Sequence, residues 1–195
     1  MKKEAWVIAV DMGYGHQRTA YPLRRLAVGG KVINANNYEG ISEEDREIWR
    51  KAKEGYEFIS AFGRTPIIGP LVFGAFNKIQ RILSFYPKRD LSKPNLQLTQ
   101  TLAPINKGWG EDLIKKLSKR PLPLIATFFT AVFMAERFKY PGPIYCVVCD
   151  TDISRTWAPL RPKTSKIKYF APTPRVVERL KLYGVRSENI FLTGF

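Results

Sequence analysis

Short apolar runs alternating with stretches of helical spacing constrain this chain more than any other feature. Residues 6–11, 31–35, 124–128, 144–148, 167–171 and 189–193 are short, mostly apolar, and bounded by Pro, Gly or polar residues. Between them, Ala20, Leu23 and Leu26 space a helix over 16–26, and residues 111–117, 130–137 and 174–183 carry the same period, with Gly184 as a C-cap. Strands alternating with helices predict an α/β domain built on a parallel sheet. No stretch reaches the ~18 apolar residues that a membrane-spanning helix requires. Cys146 and Cys149 are the only cysteines in 195 residues, which gives no disulfide framework and fits a reducing cytoplasm.

Residues 42–93 interrupt this alternation and are too long for a plain connection. Ser42 is placed to cap a helix whose first turn holds Glu43, Glu44 and Asp45. A second helix is expected over 65–86, where Ile68, Val72, Phe76, Ile79, Leu83 and Tyr86 form a stripe, with Lys78 and Arg81 beside it. Two readings fit that stripe: docking in the headgroup plane of an anionic membrane, or a core helix covering a sheet face. The formal net charge of +15 points to anionic partners, and no nucleic-acid-binding motif accompanies it.

The sharpest local pattern is Gly13-Tyr14-Gly15-His16, directly after the first strand. A histidine there stands at the carboxyl edge of a parallel sheet, where open α/β folds bind ligands. The helix N-terminus favours neutral imidazole, the form a general base needs. A tight strand–helix turn closed by a histidine explains the same residues equally well. His16 is the chain's single histidine, and Arg18 replaces the third glycine of a dinucleotide fingerprint. Asp150 and Asp152 fit either ligand positioning or the capping of a loop after a strand.

Residues 13–20, with glycines at 13 and 15, His16 and Ala20, resemble the G-x-G-H-x-x-x-A signature of the monogalactosyldiacylglycerol synthase and processive diacylglycerol glucosyltransferase family. The run 147–152 through Trp157 is similar to the family's strand ending in aspartate and then tryptophan. Residues 169–172 through Tyr183-Gly184-Val185 and 189–194 are similar to its last strand, helix and Thr-Gly run. The resemblance implies the N-terminal half of a GT-B glycosyltransferase, a Rossmann-like parallel sheet with helices on both faces. It also implies a single acceptor-binding domain over 1–195, carrying a helical membrane-docking insertion over about 42–93.

By the same resemblance, His16 is the base for the acceptor hydroxyl, and Gly13, Tyr14, Gly15, Asp150, Asp152 and Trp157 surround the acceptor. Ile68, Val72, Phe76, Lys78, Ile79, Arg81 and Leu83 would dock on the membrane. The implied activity is transfer of a sugar from a nucleotide sugar to a diacylglycerol-like lipid, with no metal and no cofactor. The enzyme would sit peripherally on the inner face of the membrane. The donor domain would lie beyond this sequence, leaving the chain inactive alone. Phe128-Phe129 stand where relatives carry His-Pro, and no histidine separates Asp152 from Trp157. These departures favour an alternative: a non-catalytic, membrane-associated module with a glycosyltransferase fold.

Overall fold

A computed structural model describes residues 4–62 and 82–194, without the side chains of residues 56 and 58–62. The alternation of the sequence becomes a six-stranded sheet in the order β2-β1-β3-β4-β5-β6, parallel throughout. Its strands are β1 (Trp6–Ala9), β2 (Ile33–Asn34), β3 (Leu124–Ala126), β4 (Ile144–Val147), β5 (Lys168–Ala171) and β6 (Ile190–Leu192). Each lies within a predicted run and is shorter than it. This is the expected Rossmann-like α/β arrangement.

Helices pack on both faces. After β1 the chain forms α1 (Tyr14–Ala20) and tightens into a 3-10 segment, Tyr21–Leu26. The predicted helix over 16–26 therefore changes type midway. Pro22 has no N–H to bond the carbonyl four residues back, so the α-helical ladder cannot pass it. Val7 and Ala9 of β1 pack with Ala20 and Ala27 on this face, while Ile8 and Val10 join the larger core on the other.

That larger core is covered by α2 (Glu43–Phe62), α3 (Leu96–Asn106), α4 (Glu111–Ser118), α5 (Phe129–Arg137) and α6 (Pro174–Leu182). Ser42 Oγ accepts from the Asp45 N–H at 3.1 Å, as the N-cap pattern predicts. The helix α5 is buried from Phe129 through Ala135, the signature of a helix enclosed on every side. No helix among the described residues is long and apolar enough to cross a membrane.

The expected stripe helix lies mostly outside the described residues: Ile68, Val72, Phe76, Lys78, Ile79 and Arg81 belong to that part. Its predicted end differs. Residues 82–86 are not helical, consistent with Pro87, whose ring disfavours helical backbone at Tyr86. Leu83 is half-buried and packs against the main core.

Candidate functional site

The chain runs from β1 outward to β2, then returns past β1 to place β3 on its other side. This reversal opens a crevice at the carboxyl ends of β1 and β3, the place where open α/β sheets hold ligands. Three strand ends converge there. After β1 come Met12 and, on the first turn of α1, His16; after β3 come Thr127 and Phe128; after β4 come Cys149 and Asp150.

The backbone at Gly13 has φ 112° and ψ 157°, a conformation essentially confined to glycine, and it turns the chain from strand to helix. Neither Gly13 nor Gly15 has an atom within 4 Å of the place a Cβ would take. Glycine is required at Gly13 for its dihedrals, not for close packing.

Thr127 fixes His16 twice. Its Oγ1 donates to the His16 carbonyl at 3.0 Å, and its own carbonyl lies 2.9 Å from His16 Nδ1. A carbonyl only accepts, so Nδ1 carries the proton and Nε2 keeps its lone pair. Cys149 Sγ, 3.1 Å from the same Nδ1, is a second acceptor for that proton. Burial pushes the His16 pKa below its ordinary value, with the Thr127 carbonyl and the Asp150 charge acting against the shift. Burial and the neighbouring Asp150 charge raise the Cys149 thiol to about 12, so it stays protonated and is no nucleophile. Asp150 is solvent-exposed at the rim, yet desolvation still raises its carboxyl, partly offset by His16 and Cys149.

His16 opens onto a cavity of about 640 Å³. One wall is aromatic. Phe128 meets the imidazole edge-on at 4.6 Å, Phe129 meets Trp157 at 5.3 Å, and Trp49 meets Trp109 at 4.5 Å. Gln97, Gln100 and Thr101 of α3 and Ser154 after β4 supply donors and acceptors. The arrangement suits an alcohol with an apolar body: a neutral base, a polar flank and an aromatic wall.

The expected site residues divide. His16, Asp150 and Trp157 line this cavity together. Asp152 does not. Its carboxylate is clamped by Arg179 at 2.8 and 3.1 Å and by Arg175 at 3.1 Å. Burial pulls that carboxyl up, but the arginine hydrogen bonds outweigh it and hold Asp152 below the usual range. Tyr14 turns its ring to solvent with 82% of its surface exposed. Sequence reasoning missed Cys149, the Thr127 carbonyl and the wall from α2 and α3; only Phe128-Phe129, after a strand end, gave any signal. Among the described residues, no group of three or more His, Cys, Asp or Glu is placed to hold a metal ion.

The fold and site define a parallel α/β domain with a neutral histidine at its topological switch point. Comparison with known protein families, characterised proteins and solved structures found no match.

Proposed function

We propose that this chain is the acceptor-binding domain of a glycosyltransferase that moves a sugar from a nucleotide sugar to the hydroxyl of a diacylglycerol-like lipid at a membrane surface. One observation carries the reading: the Thr127 carbonyl lies 2.9 Å from Nδ1 of His16, a residue that lines the cavity, so the proton sits on Nδ1 and Nε2 keeps its lone pair. The aromatic wall suits the apolar part of such an acceptor. The amides of Gln97 and Gln100 and the hydroxyl of Thr101 suit its glycerol oxygens.

In the reaction the acceptor hydroxyl lies within about 3 Å of Nε2. As its oxygen bonds to the anomeric carbon of the donor, its proton passes to Nε2, and the bond from that carbon to the nucleoside diphosphate breaks. The departing diphosphate takes the electron pair. Asp150 favours the imidazolium formed in this step.

Trp49, Trp109 and Trp157 line the cavity and report on its occupancy. Titration with dioctanoylglycerol should quench tryptophan fluorescence saturably, and F128D should weaken the quench. Absence of saturable quenching, or a quench indifferent to F128D, would remove the acceptor site from the reading.

A further inference from the structure

We infer that the outer ridge of α1 and its 3-10 extension is a docking surface for an anionic lipid bilayer. Tyr14, Arg18 and Tyr21 recur at intervals of four and three residues, Arg24 follows Tyr21 by one 3-10 turn, and Arg25 stands next to it, all exposed; His16, Ala20 and Leu23 repeat the first two intervals on the inner side. The outer tyrosines are unusually bare, with Tyr14 82% and Tyr21 60% exposed. The Arg24 guanidinium lies 4.3 Å from the centre of the Tyr21 ring, which keeps cation and aromatic together at the surface.

The charge on this stretch is one-sided. No acidic residue occurs between Asp11 and Glu39, whereas Arg18, Arg24, Arg25 and Lys31 all do. None of these four cations is in an ion pair among the described residues. Other cations on the surface divide. Arg50, Lys53, Lys88, Lys115 and Lys116 each pair with a carboxylate. Lys93, Lys107, Lys119, Arg161, Lys163 and Lys166 are in no ion pair among the described residues, so the bare tyrosines are what set the ridge apart.

The two bare tyrosines select the partner. Helices that enter a DNA major groove present side chains that hydrogen-bond base edges and phosphates, whereas this ridge presents two exposed aromatic rings beside its arginines. Tyrosine belongs at the headgroup level of a bilayer, with its ring towards the acyl boundary and its hydroxyl in water. Arginines in the same stripe meet lipid phosphates. Tyr14 precedes His16 by two residues, so a docked ridge holds the cavity close to the headgroup plane. The inference rests on the membrane part of the proposed function and names the surface responsible.

The test is co-sedimentation of the full chain with phosphatidylcholine vesicles, with and without roughly a third phosphatidylglycerol, at about 0.1 M salt. Wild type should bind only the anionic vesicles. R18E/R24E/R25E should bind at least about a hundredfold more weakly, since each cation near the surface contributes about fivefold. Y14S/Y21S, which leaves the charge intact, should bind several-fold more weakly. R161E/K163E/K166E, with the same charge change at other exposed positions, should stay close to wild type. Equal losses in both triple variants would overturn the ridge in favour of net charge. Anionic-vesicle binding that ignores the ridge variants would overturn this inference and leave membrane docking standing. No wild-type binding to anionic vesicles would overturn both. Tighter binding to duplex DNA than to vesicles, lost in R18E/R24E/R25E, would reassign the ridge to nucleic acid.

Discussion

The carbonyl of Thr127 accepts from His16 Nδ1 while the Thr127 hydroxyl donates to the His16 carbonyl, so a fully buried threonine at the end of β3 fixes both the position and the tautomer of the imidazole. The tautomer depends on the backbone, and the hydroxyl bond on the side chain.

Because the chain contains one histidine, this arrangement gives a single readable titration. Long-range proton–nitrogen correlation NMR should show a neutral ring protonated at Nδ1. The folded-state pKa should lie below 6.5, because burial disfavours the charged form. The native state then binds fewer protons than the unfolded state, so His16 costs stability as pH falls below 6.5 towards the folded value. A ring protonated at Nε2, or a pKa at or above 6.5, contradicts the site geometry.

T127V removes the hydroxyl bond and leaves the carbonyl in place. The cost should be about 1 kcal/mol, which lowers the melting temperature by roughly 2–4 °C in a domain of this size. The Nδ1 tautomer should survive. Its loss in T127V would mean that the side chain, not the backbone, sets the proton.

Substitution at the two glycines should separate dihedral strain from packing. G13A must hold φ 112° with a Cβ, at a cost of about 1–3 kcal/mol. G15A lies inside α1 with open space around it, so it should be neutral or stabilising by up to about 1 kcal/mol. Thermal unfolding of both variants decides it; equal melting temperatures would refute the assignment.

D152N leaves Arg179, only 2% exposed, without its anionic partner. Asp152 keeps 24% of its side chain exposed and an Asn oxygen can still accept from Arg179, so the loss should be about 1–3 kcal/mol. Asp152 has its carboxyl pK lowered in the fold, so its contribution is present above pH 3.8 and is lost as pH falls from there through the folded value. Acid titration of wild type against D152N, followed by circular dichroism, should show the two stabilities converging at low pH. Parallel curves would show that the pair carries no such weight.

Cys149 and Cys146 should resist iodoacetamide at neutral pH in the folded chain, since burial raises both thiols. Both should react promptly in denaturant. Fast alkylation of Cys149 in the native state would contradict the environment described beside His16.

Much of the fold was legible because parallel strands buried on both faces are short apolar runs, and the chain punctuates them with Pro and Gly. The helix α3 was not legible. Its Thr-Gln-rich sequence with Pro104 inside is a weak helix signal, and it forms because Asn95 caps it at 3.0 Å and Leu98 and Ile105 reach the core. His16 was legible from the glycines that bend the chain before it. The carbonyl that orients it was not, because every residue carries one. Asp150 and Asp152, two positions apart, were indistinguishable until α6 brought Arg175 and Arg179 to one of them.

The cavity draws its chemistry and its shape from different stretches of chain. The imidazole, its carbonyl partner and Asp150 come from the sheet's edge; Trp49, Gln97, Gln100, Thr101 and Trp109 come from the long excursion between β2 and β3. The two can drift independently. Rewriting the excursion would change what the cavity admits while the imidazole and its carbonyl partner at the sheet's edge stay untouched.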